Sequence, residues 1–146
     1  MAITKWSTPS STFNHATTEL NSLATGLRAF GTGVDNSTKL HRFADFELIS
    51  KYTSRPTSTA PYHNLYLIPA LNGVTYVISV AATAPPATLW AGSFPVQTST
   101  GPQRSWIPRV MLPPFKYKTM LENKAGKALA ATGSTLRART YNEETA

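Results

Sequence analysis

Three stretches of this chain alternate apolar and polar residues with a period of two. Residues 43–52 read Phe-Ala-Asp-Phe-Glu-Leu-Ile-Ser-Lys-Tyr, which sets Ala44, Phe46, Leu48 and Tyr52 on one face and Asp45, Glu47 and Lys51 on the other. Residues 115–122 put Phe115, Tyr117, Thr119 and Leu121 inward, with Lys116, Lys118 and Glu122 outward. Residues 135–141 set Leu136 and Ala138 against Arg137, Arg139 and Tyr141. Successive side chains of a strand point to opposite faces, so this pattern marks half-buried antiparallel strands and makes the chain all-β. Apolar runs at 64–71, 74–81, 88–97 and 105–112 add strands, and a short one is expected at 27–30, before the break at Gly31-Thr32-Gly33. Asn72-Gly73 predicts a hairpin turn between the first two runs, because both residues tolerate positive φ. Pro69, Pro95 and Pro108 fall inside strand candidates, which are therefore expected to be edges, bulged or interrupted there. About eight strands at roughly ten-residue spacing point to a sandwich or barrel. Long strands near both ends, with broken ones between, favour a jelly-roll-like antiparallel β-sandwich of two sheets.

With 146 residues the chain has the size of one domain. Cysteine is absent, which removes disulfides, zinc–thiolate sites and thiol nucleophiles together. No apolar run reaches the length of about 18 residues that a spanning helix needs, so no membrane role is expected. The first residues carry no apolar core of a secretory signal. Residues 1–18 are rich in Ser and Thr, too poor in aliphatic area to offset their own ordering entropy, and read as a flexible N-terminal arm. Trp6 and Phe13 are the exceptions, large aromatics suited to anchoring an arm on something else. Residues 18–25 predict one helical turn capped by Thr18 and ended by Gly26. The sandwich domain then spans residues 19–146.

Motifs of catalysis are missing. There is no GxSxG elbow and no phosphate-binding loop, and Gly31-Thr32-Gly33 lacks a third glycine and a strand-to-helix setting. His15, His41 and His63 lie in separate segments, and His41 and Asp45 are about 13 Å apart along a strand, too far to pair. They read as surface or partly buried histidines, with no metal or cofactor site. Asp45 and Glu47 share a strand face at about 7 Å, a spacing a glycosidase pair would use, but their alternation with inward apolar residues marks a solvated face. Asn36-Ser37-Thr38 matches a glycosylation sequon by chance. No enzyme is expected.

Charge carries more information. Fourteen Lys and Arg against seven Asp and Glu give +7, a field that attracts an acidic surface. From Arg104 to Arg139 the basic residues Arg104, Arg109, Lys116, Lys118, Lys124, Lys127, Arg137 and Arg139 face only Glu122. They are dispersed among apolar residues rather than gathered into the helix, loop or aromatic–basic signatures of nucleic-acid modules, which disfavours nucleic acid as the partner. A cysteine-free β domain with an aromatic-bearing arm and a dispersed positive face suits an assembly component that clamps neighbouring subunits.

The C-terminal third adds a resemblance. Trp106-Ile107-Pro108-Arg109-Val110-Met111-Leu112-Pro113-Pro114-Phe115-Lys116, then Leu121-Glu122-Asn123-Lys124-Ala125-Gly126, Ala128-Leu129-Ala130-Ala131-Thr132-Gly133-Ser134-Thr135-Leu136 and Arg139-Thr140-Tyr141-Asn142-Glu143-Glu144, resembles a family of small head proteins of tailed bacteriophages. Ala44-Asp45-Phe46-Glu47-Leu48 and Glu19-Leu20-Asn21-Ser22-Leu23-Ala24 are similar to it as well, while Ser134 stands where that family commonly has Asn and the arm does not match. The resemblance implies a capsid decoration, or cement, protein. It would be made in the bacterial host cytoplasm and bound to the outer surface of the virion head, with the major capsid protein as partner. A homo-oligomer, dimer or trimer, would present identical arms to several capsomers. On this reading Trp6 and Phe13 anchor the arm, and Arg104, Arg109, Arg137 and Arg139 meet acidic patches of the shell. The alternative is a tail-associated or receptor- and carbohydrate-binding sandwich, for which Tyr62, Tyr66 and Trp90 are the candidate aromatics. A nucleic-acid-binding barrel ranks third.

Overall fold

The computed structural model describes residues 3–145, and among them the regular elements are ten strands and two 3-10 turns, Thr18–Leu20 and Ala87–Leu89. In chain order the strands are β1 (Thr4–Trp6), β2 (Phe13–Ala16), β3 (Arg28–Asp35), β4 (Phe43–Ser50), β5 (Tyr62–Ala70), β6 (Trp90–Pro95), β7 (Gln103–Met111), β8 (Lys116–Asn123), β9 (Thr135–Tyr141) and β10 (Glu143–Thr145). All pairings are antiparallel, and five of them nest: β1 with β10, β2 with β9, β3 with β8, β4 with β7 and β5 with β6. The chain is thus one long double ribbon closed between β5 and β6. Rolling that ribbon adds the pairs β4–β9 and β5–β8 and yields two four-stranded sheets, β2-β9-β4-β7 and β3-β8-β5-β6. Eight strands in this order are the two interlocked Greek keys of a jelly roll, the architecture the sequence pattern favours.

The alternation works as read on β4 and β9. Ala44, Phe46 and Leu48, with Leu136 and Ala138, face the other sheet and are fully or almost fully buried. They meet Leu65, Leu67, Phe94, Tyr117 and Leu121 in one core. Strand β8 departs from the pattern. Met120 and Glu122 are buried too, because the second face of this central strand is also covered. Glu122 is covered by Arg28 and Asn64, and Met120 by the segment expected as a strand at 74–81. Gly73 takes φ +75 and its N–H bonds the Ala70 carbonyl at 2.9 Å, so the Asn72-Gly73 turn forms, but the chain beyond it is not a second hairpin strand. It folds back across the outer face, where Ile78 packs on Ile68 and Met120, with Tyr76, Phe30 and Leu89 against that cluster.

The prolines sit where their missing N–H groups do no harm. Pro95 ends edge strand β6. Pro69 turns its polar edge away from β8, and its carbonyl receives the Val77 N–H at 3.0 Å. Pro108 lies on edge strand β7 at a bulge, where the register to β4 slips between Ala44 and Phe46. Gly31-Thr32-Gly33 is not a break. Strand β3 runs through it to Asp35 with a register shift between Phe30 and Gly33. A Cβ on Gly31 would collide with Thr119 Oγ1 and lie 2.6 Å from the His15 carbonyl oxygen, so only glycine lets β2 and β3 approach here.

Two expectations for the N-terminal segment need correction. The described part of the expected arm runs as β1 and β2, and His15 and Ala16 are buried in the sandwich. Phe13 to Ala16 supply the strand that completes the first sheet, and this pairing offsets the ordering entropy that the segment's own composition could not. The helical turn is shorter than read: a 3-10 turn over Thr18–Leu20, preceded by Thr17, with no side-chain cap. Thr17 instead donates its N–H to Glu19 Oε2 at 2.9 Å. The turn stays because Leu20 is fully buried.

Candidate functional site

The outer face of the β2-β9-β4-β7 sheet carries an open groove of about 780 Å³. Its floor is built by the outward residues of three strands: Asp45 and Glu47 from β4, Arg137, Arg139 and Tyr141 from β9, and Trp106, Pro108 and Arg109 from β7. One wall is the N-terminal segment, through Trp6, Ser7, Pro9 and Thr12. That segment is held by β1–β10 pairing and by bonds of Ser7 and Ser10 to the backbone of Asn142 and Thr140, at 2.7–3.0 Å.

Arg109 is the hinge pin of this wall. It sits at the β7 bulge with φ +51, a left-handed backbone that a non-glycine residue adopts at a cost of about 1–2 kcal/mol. Three contacts offset that cost. Its N–H donates to Asp45 Oδ1 at 2.8 Å, its guanidinium lies 5.1 Å from the ring centres of both Trp6 and Phe43, and it forms an ion pair with Glu143 of β10. Trp6 and Tyr141 meet edge to face at 5.2 Å, and Phe43 and Tyr141 stack at 5.9 Å.

Both carboxylates on the floor are already engaged. Asp45 Oδ1 also accepts the Tyr141 hydroxyl at 2.9 Å. Burial, together with that bond and the charge of Asp45, pushes the Tyr141 phenol up to about 12. Glu47 Oε1 accepts from Arg137 Nε at 2.8 Å and from Arg104 at 3.0 Å, and Arg137 adds a second contact at 2.6 Å. Arg139 lies opposite Asp45 in the register and is exposed, with no ion pair among the described residues. The groove therefore presents a net positive floor between two exposed indoles, Trp6 and Trp106. Chemically, arginine side chains and exposed indoles offer hydrogen-bond donors and apolar contact area on one face.

Of the six residues singled out from the sequence, Trp6, Arg109, Arg137 and Arg139 line this groove. Arg104 adjoins it through Glu47. Phe13 does not: it lies on β2 opposite Ala138, its ring edge-on to His15 at 5.0 Å. Trp106 and Tyr141 were not among the six. Trp106 was findable, because Arg104 and Trp106 alternate outward with Ser105 and Ile107 along β7.

Tyr66 and Trp90 lie elsewhere, on the outer face of the other sheet. There Tyr66 donates to Glu122 at 3.4 Å and the Trp90 indole to Asn64 at 3.3 Å. Glu122 is nearly fully buried and bonds Arg28 at 2.7 Å and Asn64 at 3.0 Å. Burial opposes its charge, and the Asn64 bond with the Arg28 charge more than offsets this, so its carboxyl titrates below the usual range.

Two of the three histidines are core groups, while His41 is partly buried as read. His15 is packed among Phe13, Phe46 and Tyr117, and His63 bonds the Tyr52 hydroxyl at 2.5 Å in the core. Burial lowers both to about 4. Among the described residues no three His, Asp or Glu side chains gather where they could hold a metal ion, and no helix is long and apolar enough to cross a membrane. Comparison of the chain with protein-family models, curated proteins and solved structures gives no match.

Proposed function

We propose that this chain is a decoration protein of a bacteriophage head, bound outside the shell and bridging neighbouring major capsid subunits. The observation that carries the reading is the groove itself. Four residues from three separate strands, Trp6, Arg109, Arg137 and Arg139, come together on one exposed sheet face with one arginine left unpaired. An acidic segment of a shell subunit laid between Trp6 and Trp106 would meet Arg139 directly and compete for Arg104 and Arg137, whose present partner is a half-exposed carboxylate. Individual contacts of this kind are weak, and repetition over a shell supplies the avidity. The jelly-roll sandwich and the sequence resemblance support the same reading.

The test is cosedimentation of the purified chain with shells assembled from the major capsid protein alone. Wild type pellets with shells, and Arg139→Glu loses at least about tenfold in affinity through charge reversal against an acidic partner. Removing residues 1–11, which spares strand β2, weakens binding while the far-ultraviolet spectrum keeps its β form. Absence of wild-type binding, or binding indifferent to Arg139→Glu, overturns the proposal. The alternative, a saccharide-binding module of the tail, draws on the exposure of Trp106 (62%) as a stacking platform, and glycan-array binding by a chain that ignores shells would favour it.

A further inference from the structure

Asn72 is the one asparagine of the chain that precedes a glycine. It sits where β5 turns into the fold-back segment, and both Asn72 and Gly73 are exposed. The Gly73 N–H closes the turn on the Ala70 carbonyl at 2.9 Å, with Gly73 at φ +75. The Asn72 side chain folds forward over that same backbone, its Oδ1 accepting the N–H groups of Val74 and Thr75 at 3.0 and 2.7 Å. A side-chain oxygen bonded to the N–H two residues on closes a ring that contains the intervening nitrogen. Here that nitrogen belongs to Gly73, and the Asn72 Cγ is held beside it.

The pair is open to attack. A Cβ placed on Gly73 would meet no atom within 4 Å, so there is room beside it for a ring to close and for water to enter. The two N–H donors on Oδ1 draw charge from the Asn72 side-chain carbonyl, as an oxyanion site does, and make Cγ more electrophilic. The two asparagines that precede serine are placed differently. Asn36 is buried, its amide fixed by bonds to the backbone of His41 and Pro113 at 2.8–3.0 Å. Asn21 is exposed, but the Ser22 nitrogen it would need is tied across the fold to the Ala130 carbonyl at 3.1 Å. The Gly73 bond, by contrast, spans only its own exposed turn.

We propose that Asn72 is a site of spontaneous deamidation in the folded chain. Once its bond to Ala70 opens, the Gly73 nitrogen gives its proton to hydroxide and attacks the Asn72 Cγ. The N–Cγ bond forms, the Cγ–Nδ2 bond breaks, and Nδ2 leaves as ammonia with a proton taken back from water, giving a succinimide. Solvent water then opens the ring. Cleavage of the new N–Cγ bond gives Asp, and cleavage at the main-chain carbonyl gives isoaspartate, whose backbone runs through Cβ and Cγ. Nothing is oxidised or reduced. The Asp product keeps the turn, because a carboxylate accepts the same two N–H bonds more strongly. The isoaspartate product lengthens the main chain by a methylene just ahead of Tyr76 and Ile78, which pack on the sheet. Either product lowers the net charge of +7 by one. The inference is independent of what the groove binds.

The test is peptide mapping by mass spectrometry of the full chain aged in mildly alkaline buffer, with and without guanidinium. In the folded chain the peptide that holds Asn72 converts to Asp and isoaspartate forms, while Asn21 and Asn36 stay intact. The rate climbs about tenfold per pH unit, as the deprotonated fraction of the attacking nitrogen does. Folded and unfolded chains convert within about tenfold of one another, because an exposed turn opens at little cost. Asn72→Gln keeps its mass throughout ageing, and Asn72→Asp runs with the more acidic form of aged wild type in native charge separation. The proposal is overturned by a folded chain that converts more than about tenfold slower than the unfolded one, by conversion at Asn21 or Asn36 outpacing Asn72, or by an Asn72→Gln chain that acidifies as fast as wild type.

Discussion

Acid should unfold this protein in a window set by two histidines. His15 and His63 are buried and neutral, each lowered to about 4 from an ordinary 6.5. Between those values the unfolded chain binds a proton at each position that the folded chain refuses, so stability rises with pH. The contribution is complete above about pH 6.5, is lost as pH falls toward about 4, and changes no further below that. Within the window each histidine gives a slope approaching 1.4 kcal/mol per pH unit. By about pH 4.5 the loss is roughly 2.5 kcal/mol per histidine, roughly 5 for the two, against a typical domain stability of about 5–15 kcal/mol. The lowered carboxyls of Asp35 and Glu122 act later, from their ordinary values of 3.8 and 4.5 downward, so most of the histidine loss comes first. The assay is urea unfolding followed by tryptophan fluorescence at a series of pH values. Replacing the hydrogen-bonded pair together, Tyr52→Phe with His63→Phe, leaves no orphaned partner and should halve the slope. A wild-type stability that changes by less than about 1 kcal/mol between neutral pH and about pH 4.5 would refute the reasoning, as would histidine proton signals titrating near 6.5 in the folded chain.

Three further outcomes follow from particular contacts. Glu122→Gln leaves the Arg28 charge buried without its counterion and should cost about 3 kcal/mol in urea unfolding at neutral pH, a loss under about 1 kcal/mol counting against it. Gly31→Ala forces a methyl group into Thr119 and the His15 carbonyl, and should cost about 2–3 kcal/mol by the same assay. Arg109→Ala releases the Trp6 and Phe43 contacts and the Glu143 pair, so proteolysis within residues 3–12 should quicken roughly tenfold while the sandwich midpoint moves by only about 1 kcal/mol.

Much of this fold was legible in the sequence because most of its strands face water on one side. Strands β4 and β9 announce themselves through Phe46 and Leu48 against Asp45 and Glu47, and through Leu136 and Ala138 against Arg137 and Arg139. Pro108 marked the β7 bulge. Where both faces are covered the signal fails, as at Glu122, whose burial depends on Arg28 and Asn64 from distant strands. The run at 74–81 misleads for a related reason: Val74, Tyr76 and Ile78 have strand-like chemistry, but Tyr76 and Ile78 are used as a lid. Nothing local could foretell that Thr4 pairs with Thr145, since that contact joins opposite ends of the chain. The groove was half legible. Its arginines stood out by charge, whereas the role of Arg109 as a pin under Trp6 exists only once β1, β7 and β10 are assembled.

The nested pairing has a mechanical corollary. Thr4 and Thr145 are register partners, so tension applied to the two ends loads the ribbon one rung at a time rather than all rungs in parallel. Rupture would begin at the three-residue β1–β10 rung, pass next to β2–β9, and reach β5–β6 last. Tension entering instead through the faces of the two sheets is shared across many hydrogen bonds at once, and there the same molecule resists as a block.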